Sequence, residues 1–240
     1  MPSKIEWTEH TWNPITGCTP ISEGCRNCYA RRMHSRLQAM GQDKYKYDFN
    51  TIVVHLGVFN EPIRRKKPSM YFVCSMSDLF HKDVPPGDIK AIFNVMEQCK
   101  HHTFQVLTKR PERLRELMLK WYPQGVPKNI WLGVTIENQD NIDRALYLDL
   151  DANARFISCE PLLGPIDFGG ILWHHIDWVI VGAESGPGAR PMKEDWVRSI
   201  RDQCIVAEIP FFYKQKQYCG KKVSMPELDG VIWDQIPEAE

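Results

Sequence analysis

Short apolar runs alternate with amphipathic stretches along most of this chain. Runs rich in β-branched and aromatic residues predict strands, and most are followed by a segment with apolar residues at helical spacing. The predicted strands are 11–17, 51–56, 70–74, 104–107, 130–134, 155–159, 178–181 and 209–213. The predicted helices are 30–37, 87–100, 112–121, 139–150 and 193–208. Strands that alternate with helices indicate a parallel sheet with right-handed crossovers.

The number of predicted strands indicates the fold class. Eight strands, if the first one forms, suit a closed (β/α) barrel, and an open or partial barrel is the alternative. We therefore expect an α/β, TIM-like (β/α) barrel, full or partial, with parallel strands and a cysteine loop after the first strand. The whole chain, residues 1–240, is expected to form one barrel domain with an irregular tail from about residue 220. Trp233 is the candidate anchor of that tail.

Composition narrows the class of protein. The chain is 43% hydrophobic and 25% charged, and its formal net charge is zero, which does not indicate a strongly basic nucleic-acid binder. The basic run 64–67 is interpreted as a solvated helix end, with phosphate contact as the alternative. No apolar run approaches membrane-spanning length and the N-terminus does not resemble a signal peptide. We expect a cytoplasmic protein with no membrane partner.

Three cysteines lie close together near the N-terminus: Cys18, Cys25 and Cys28. Their loop ends where a helix is predicted to begin, and the positive end of a helix dipole favours thiolate over thiol. Without a secretory signal, metal binding explains these cysteines better than a disulfide framework. Three interpretations are open: free thiols, a structural zinc with His34 as the nearest fourth ligand, or an iron–sulfur cluster with one open iron. The tight spacing favours the cluster.

Polar side chains follow nearly every predicted strand of the repeating unit. These strand-end residues are Ser75, Ser77, Asp78, Thr108, Lys109, Arg110, Thr135, Glu137, Glu160, Glu184, Ser185, Lys214 and Gln215. In a barrel they project over the same C-terminal mouth, where such enzymes build their sites. Cys74 and Cys159 also end strands and are candidates to face the mouth. Two histidine pairs, His101-His102 and His174-His175, are interpreted as loop residues rather than ligands.

Seven motifs together resemble one known family. They are Thr11-Trp12-Asn13-Pro14, Gly17-Cys18, Cys25-Arg26-Asn27-Cys28-Tyr29-Ala30, Leu107-Thr108-Lys109-Arg110-Pro111, Gly133-Val134-Thr135-Ile136-Glu137-Asn138, Ser158-Cys159-Glu160-Pro161-Leu162 and Gly182-Ala183-Glu184-Ser185-Gly186. The chain resembles the phage-associated three-cysteine-motif family, which is similar to the radical S-adenosylmethionine (radical SAM) superfamily. The resemblance runs from Trp7 to about Gln215.

This resemblance implies a radical SAM enzyme that binds a [4Fe–4S] cluster and S-adenosylmethionine. Cys18, Cys25 and Cys28 match the cluster-binding cysteines. Candidate cofactor-binding residues are Ser75, Ser77, Asp78, Thr135, Glu137, Glu160, Glu184 and Ser185, and candidate contacts to an anionic substrate are Lys109, Arg110 and Lys214. The resemblance also implies a dedicated partner protein encoded nearby, an external reductant, and a nucleic acid or nucleotide as substrate. A structural zinc or cluster module working with a partner protein is the alternative function.

The chain departs from the usual radical SAM pattern at two places. Six residues separate Cys18 from Cys25, instead of three, and Asn27 occupies the position before the last cysteine where an aromatic residue is usual. A longer loop still brings three thiolates to one cube, because cluster geometry constrains the sulfurs and not the loop. No Gly-Gly-Glu motif follows the second strand, and the segment 75–78 is the candidate replacement that binds the methionine amino group.

Overall fold

Eight strands form one curled, open sheet at the centre of the protein. In the computed structural model, which describes residue 3, residues 5–171 and residues 176–238, the sheet order is β1-β4-β5-β6-β7-β8-β9-β10. These strands are β1 (His10–Trp12), β4 (Met70–Val73), β5 (Thr103–Thr108), β6 (Ile130–Thr135), β7 (Arg155–Cys159), β8 (Trp178–Gly182), β9 (Phe211–Tyr218) and β10 (Lys221–Ser224). The neighbours from β1 to β9 pair in parallel, and β10 pairs antiparallel with β9. The predicted α/β, TIM-like architecture is confirmed in its partial form.

Helices connect the parallel strands. They are α1 (Tyr29–Ala39), α2 (Glu61–Arg64), α3 (Pro86–Gln98), α4 (Pro111–Trp121) and α5 (Glu194–Val206). α3 and α4 each begin with a proline. Proline favours this position because the first N–H groups of a helix have no hydrogen-bond partner within it, so the missing N–H costs nothing. The segment Gln139–Leu148, predicted to be an α-helix, is a 3-10 helix instead, and further 3-10 turns cover Glu23–Cys25, Asp43–Tyr45 and Leu56–Val58.

The first two predicted strands differ from expectation. The run 11–17 is interrupted at Pro14, so β1 is followed by a separate short strand, β2 (Ile15–Thr16). Proline lacks the N–H that a continuous ladder requires. The run 51–56 forms only β3 (Val53–Val54), which pairs with β2 outside the main sheet. The prediction of a barrel strand there was wrong, because β3 belongs to a separate two-stranded sheet and both its residues are only half-buried.

Successive side chains along each strand point to opposite faces of the curled sheet. On β7, Phe156 joins the apolar cluster on the concave side, whereas Ile157 and Cys159 join the larger core between the sheet and the helices. On β8, Trp178 likewise joins the cluster on the concave side and Val179 joins the larger core. The concave interior is therefore filled by apolar side chains at its lower level.

The N-terminal segment fills the lower part of the half-barrel. Trp7 is 2% exposed and its ring meets Phe72 with centroids 4.8 Å apart and Trp178 at 6.1 Å. Its backbone carbonyl accepts a hydrogen bond from the buried Gln105 side chain at 3.1 Å. Gly133 leaves room for this packing, because a Cβ atom there would lie 2.5 Å from the Phe156 ring. The indole thus forms a floor beneath the strand ends.

The C-terminal tail is more regular than predicted. Besides β10 it contains a small hairpin of β11 (Glu227–Leu228) and β12 (Val231–Ile232), so the expectation of an irregular tail was wrong. Trp233 packs edge-on against Phe211 with centroids 5.8 Å apart, which confirms it as an anchor. His174 and His175 lie outside the described residues. Throughout residues 3, 5–171 and 176–238, each helix is too short or too polar to cross a bilayer.

Candidate cluster and cofactor site

A cavity of about 690 Å³ opens at the carboxyl ends of the parallel strands. Almost all the sequence-predicted site residues line it: Cys18, Cys25, Cys28, Ser75, Ser77, Asp78, Lys109, Arg110, Thr135, Glu160, Glu184, Ser185 and Lys214. Glu137 is the exception, and it lies directly behind the cysteine loop. Parallel strands bring these residues together because all their carboxyl ends meet at one edge. A volume of this size suits a nucleotide-sized ligand.

The three cysteines approach the cavity from one loop. Cys18 follows β2, Cys25 ends the 3-10 turn, and Cys28 immediately precedes α1. All three are free and half-buried. Gly17 makes the entry to the loop possible, because it has φ of 93° and a Cβ atom there would lie 2.0 Å from the Thr51 carbonyl oxygen. Burial, followed by the nearby Asp78 carboxylate, raises the pKa of Cys18 to about 11.

The donors that the cysteine loop offers are three thiols, which suit an iron–sulfur cluster. Within residues 3, 5–171 and 176–238, no three His, Cys, Asp or Glu side chains converge closely enough to hold one metal ion. A cubane cluster binds its thiolates at separate corners, so its cysteines stand farther apart than ligands of one zinc. His34 is not a fourth ligand: it is 3% exposed, its Nε2 lies 2.9 Å from the Tyr47 carbonyl oxygen, and its ring packs against Tyr45 and Phe49.

Glu137 fastens the cysteine loop from behind. Its carboxylate is 1% exposed and accepts a hydrogen bond from the Ser22 hydroxyl at 2.5 Å. Lys109 lies 3.1 Å and Arg144 lies 2.7 Å from its two oxygens. Burial alone would raise the pKa of Glu137, but these two cations lower it below its ordinary value. Gly24 lies against the same carboxylate, since a Cβ atom there would be 2.3 Å from Oε1.

Glu184 fastens the same loop from the side. Asn27 Nδ2 donates to Glu184 Oε2 at 2.9 Å, and Arg190 Nη2 donates to Oε1 at 2.5 Å. Arg190 continues to the cysteine loop, where its Nη2 donates to the Glu23 carbonyl at 3.0 Å. Burial opposes ionisation of Glu184, but the hydrogen bonds from Arg190 and Asn27 outweigh it and lower the pKa to about 2. The carboxylate therefore stays charged and holds the C-x-x-C segment against the loop after β8.

Asp78 and Arg110 form a third set of contacts next to Cys18. Arg110 Nη1 lies 2.8 Å from Asp78 Oδ2 and 3.8 Å from Cys18 Sγ, and its Nη2 donates to the Thr19 carbonyl at 2.9 Å. Asp78 also accepts from the Thr108 hydroxyl at 2.7 Å. Both side chains are mostly buried. The guanidinium thus places a positive charge beside the first cysteine of the loop.

Glu160 and Lys214 form an ion pair across the cavity floor. Lys214 Nζ lies 2.6 Å from Glu160 Oε1, and Trp7 Nε1 donates to Glu160 Oε2 at 3.2 Å. The Ser158 hydroxyl donates to the same oxygen at 3.2 Å. The side chains of Lys214 and Glu160 are 15% and 14% exposed. Trp7 was not among the site residues predicted from the sequence, because its indole comes from the segment before the first strand.

The predicted hydroxyl residues differ in whether their side chains form hydrogen bonds within the protein. Ser75 Oγ donates to Asn13 Oδ1 at 3.1 Å, and Ser77 Oγ donates to the Ile15 carbonyl at 3.1 Å, so both brace the start of the loop. The Thr135 and Ser185 carbonyls accept hydrogen bonds from Arg144 and Arg32 respectively. The hydroxyls of Thr135 and Ser185 form no hydrogen bond with the residues that the structure describes.

The two remaining strand-end cysteines differ in their surroundings. Cys159 is fully buried in the core between sheet and helices, so it does not face the mouth. Cys74 lines the cavity, and its positive φ of 61° places it at an unusual backbone position directly after β4. The His101-His102 pair has the predicted loop role: His101 Nε2 lies 3.0 Å from the Arg65 carbonyl oxygen and His102 Nε2 lies 3.1 Å from that of Pro62.

Comparison with known proteins identifies a family. A family model described as "Protein of unknown function (DUF5131)" matches residues 2–237. No curated protein matches the chain. A solved structure of a spore photoproduct lyase double mutant, with bound AdoMet and dinucleoside spore photoproduct, is similar with TM-score 0.46 and 11% identity over 82% of this chain. The match spans 61% of that lyase chain, less than two thirds of its length. None of these matches mentions a phage or a partner protein, so both stay predictions.

Proposed function

The chain belongs to the DUF5131 family of proteins of unknown function, and we propose that it is a radical SAM iron–sulfur enzyme. One observation carries the proposal: three free, half-buried cysteines from one loop line a single cavity at the carboxyl ends of the strands. Three cysteine ligands would leave one iron of a [4Fe–4S] cluster free for S-adenosylmethionine. When bound, the two groups would supply radical chemistry, in which one-electron reduction of S-adenosylmethionine gives a 5′-deoxyadenosyl radical that abstracts hydrogen from a substrate.

The protein's own contribution begins with the cysteine loop. Cys18, Cys25 and Cys28 would hold the cluster. Glu137 and Glu184 keep the loop in place through Ser22 and Asn27, and both carboxylates are ionised because cations surround them. Rigid supporting contacts of this kind determine whether ligands keep their geometry. In this proposal Glu137 supports the loop and does not touch the cofactor, since it does not line the cavity.

The cavity wall offers polar groups for the cofactor. Thr135 and Ser185 have unused hydroxyls, and Glu160 and Glu184 present carboxylates that accept hydrogen bonds from ribose or an amino group. Ser75, Ser77 and Asp78 lie next to Cys18 and would face the methionine part of the cofactor. Below them, Trp7, Phe72 and Leu107 line the floor with apolar surface that keeps water away from a reactive radical.

Electrons and partners would come from outside the chain. We propose an external one-electron reductant and a dedicated partner protein, which the family resemblance implies, and a cytoplasmic location. The alternative function is a metal-binding interaction module in which the metal is only structural. That alternative needs a closed set of four donors.

An anaerobic cleavage assay tests the proposal. The protein is reconstituted with iron and sulfide, reduced with dithionite and incubated with S-adenosylmethionine, and 5′-deoxyadenosine is measured. We expect product from the wild type and from Cys219→Ala, an exposed cysteine outside the cavity, but none from Cys25→Ala. Zinc-loaded, colourless protein without product would contradict the proposal and support the structural module.

A further inference from the structure

The charged side chains around the cavity do not balance. Six cations line it: Arg32, Arg36, Lys109, Arg110, Lys214 and Lys222. Four carboxylates line it: Glu6, Asp78, Glu160 and Glu184. The chain as a whole has zero formal charge, so this excess of positive charge is local to the cavity. A local excess of one sign in a cleft attracts ligands of the opposite sign.

Most of these cations are already neutralised. Lys109 pairs with Glu137, Arg110 with Asp78, and Lys214 with Glu160. Lys222 Nζ lies 2.7 Å from Glu6 Oε1. The three cations that the sequence predicted as substrate contacts are therefore engaged with carboxylates. Breaking a mostly buried pair to bind a substrate would leave a carboxylate uncompensated, which costs free energy.

Arg32 and Arg36 are the two exceptions. Among the residues that the structure describes, neither forms an ion pair: Arg32 donates to the carbonyls of Ser185 and Pro187, which leaves its charge intact, and Arg36 is exposed with no partner. They lie one turn apart on α1, which contains no acidic residue. Residues four apart on a helix face the same direction. The two guanidinium groups therefore border the same side of the cavity opening.

Apolar surface lies between and beside these cations. Tyr29 and Met33 also line the cavity and belong to the same face of α1, yet they are 45% and 41% exposed. An exposed aromatic ring next to unpaired arginines is the combination that binds single-stranded nucleic acids, with stacking on the ring and phosphates on the guanidinium groups. An acidic peptide needs the charges but gains less from an exposed ring.

We propose that Arg32 and Arg36 bind the phosphate groups of the substrate, which is a nucleotide or a nucleic-acid strand whose base reaches the cavity past Tyr29. This inference rests on the proposed function, because it assumes that the substrate enters at the open side of the cofactor cavity. It assigns the anion contacts to α1 in place of Lys109, Arg110 and Lys214.

Binding to a fluorescein-labelled oligothymidylate at several salt concentrations tests the inference. The full-length protein is used, and fluorescence anisotropy is the readout. Each phosphate contact to a single strand contributes a salt slope of about 0.7. We expect Arg36→Gln to reduce the slope by about that amount and Arg36→Lys to retain most of it. The matched control is Arg64→Gln: Arg64 is an exposed arginine at the end of α2, forms no ion pair with any residue that the structure describes, and does not line the cavity.

Competitors distinguish the sources of the phosphate. Displacement of the probe by thymidine monophosphate identifies a nucleotide-sized substrate, and displacement by unlabelled strand alone identifies nucleic acid; both outcomes support the inference. Equal slopes for Arg36→Gln and Arg64→Gln would overturn it, as would polyglutamate competing as well as the strand at equal charge. Because this assay needs no S-adenosylmethionine cleavage, its failure with cleavage intact affects only the inference, and failed cleavage with binding intact affects only the proposed function.

Discussion

Asn27 and Glu184 join the cysteine loop to the far side of the half-barrel. Asn27 Nδ2 donates to Glu184 Oε2 at 2.9 Å and also to the Gly188 carbonyl at 2.9 Å. Asn27, the residue directly before the last cysteine of the loop, thus connects the loop to the segment after β8 through polar contacts. Tyr29, on the other side of Cys28, supplies the aromatic ring that lines the cavity.

Glu184→Gln is expected to loosen this connection. The substitution keeps the size of the side chain but removes the negative charge that pairs with Arg190. Leaving the mostly buried guanidinium without this partner costs about 1–3 kcal/mol. We expect a lower free energy of unfolding in urea and less iron retained after reconstitution. Glu194→Gln, which alters a half-exposed pair with Lys216, is the matched control and should retain wild-type iron. Wild-type iron and stability in Glu184→Gln would show that the loop does not depend on this carboxylate.

Gly24→Ala is expected to disturb the loop from the opposite side. The added Cβ atom would lie 2.3 Å from Glu137 Oε1, and overpacking of this kind typically costs about 1–3 kcal/mol. The same substitution at Gly87, in α3, meets no atom within 4 Å and should be neutral or slightly stabilising. Urea unfolding and iron content should both separate the two variants. Equal behaviour of the two alanine variants would contradict the close packing of the loop on Glu137.

Lys214 and Glu160 are expected to be energetically coupled. Lys214→Met leaves the Glu160 carboxylate with only the Trp7 and Ser158 donors, and breaking a mostly buried pair costs about 3 kcal/mol. Adding Glu160→Gln removes the unpaired charge, so the double variant should be more stable than Lys214→Met alone. Urea unfolding of the two single variants and the double variant gives the coupling free energy. Strict additivity would mean that the pair contributes nothing specific.

His55 is expected to make stability depend on pH. Burial, followed by the positive charge of Lys44, lowers the pKa of His55 from 6.5 to about 4, and its Nε2 lies 2.8 Å from Thr16 Oγ1. As the pH falls, His55 therefore takes up a proton in the unfolded chain before it does so in the folded protein. The stabilisation of the folded state by neutral His55 is complete above the ordinary pKa of 6.5 and declines as the pH falls toward 4.

The matched variant for this effect is His55→Gln, which keeps a hydrogen-bonding side chain but does not titrate. We expect the free energy of unfolding to fall less between about pH 7 and about pH 5 in this variant than in the wild type. Urea titrations at the two pH values measure the difference. The same pH dependence in both proteins would show that the lowered pKa of His55 does not contribute to the pH dependence of stability.

The repeating pattern of the chain predicted most of the fold, because buried strands and amphipathic helices carry strong periodic signals. β4 to β9 and the helices α1, α3, α4 and α5 form close to their expected positions. Edge elements were harder to predict. β3 has strand composition but pairs outside the main sheet, and β10 is exposed and charged, so neither carries the apolar signal of a central strand.

Most of the site residues predicted from the sequence line the cavity, because strand ends converge in any parallel barrel. The sequence did not predict which charges are paired, since ion pairs such as Lys214–Glu160 join residues far apart in the chain. The role of Trp7 depends on tertiary packing and had no local signal. Arg32 and Arg36 were detectable, because their spacing of four on a helix that follows the C-x-x-C pair is visible in the sequence.

The claim that the three cysteines hold a cluster with one iron open to the cavity is tested most directly by electron paramagnetic resonance. The reconstituted, dithionite-reduced protein is measured before and after addition of S-adenosylmethionine, together with Cys219→Ala as the control and Cys18→Ala, Cys25→Ala and Cys28→Ala. We expect a reduced [4Fe–4S] signal whose shape changes when S-adenosylmethionine is added, in the wild type and the control but in none of the three loop variants. A signal that S-adenosylmethionine leaves unchanged, or one that survives in the loop variants, would show that the cysteines do not hold such a cluster.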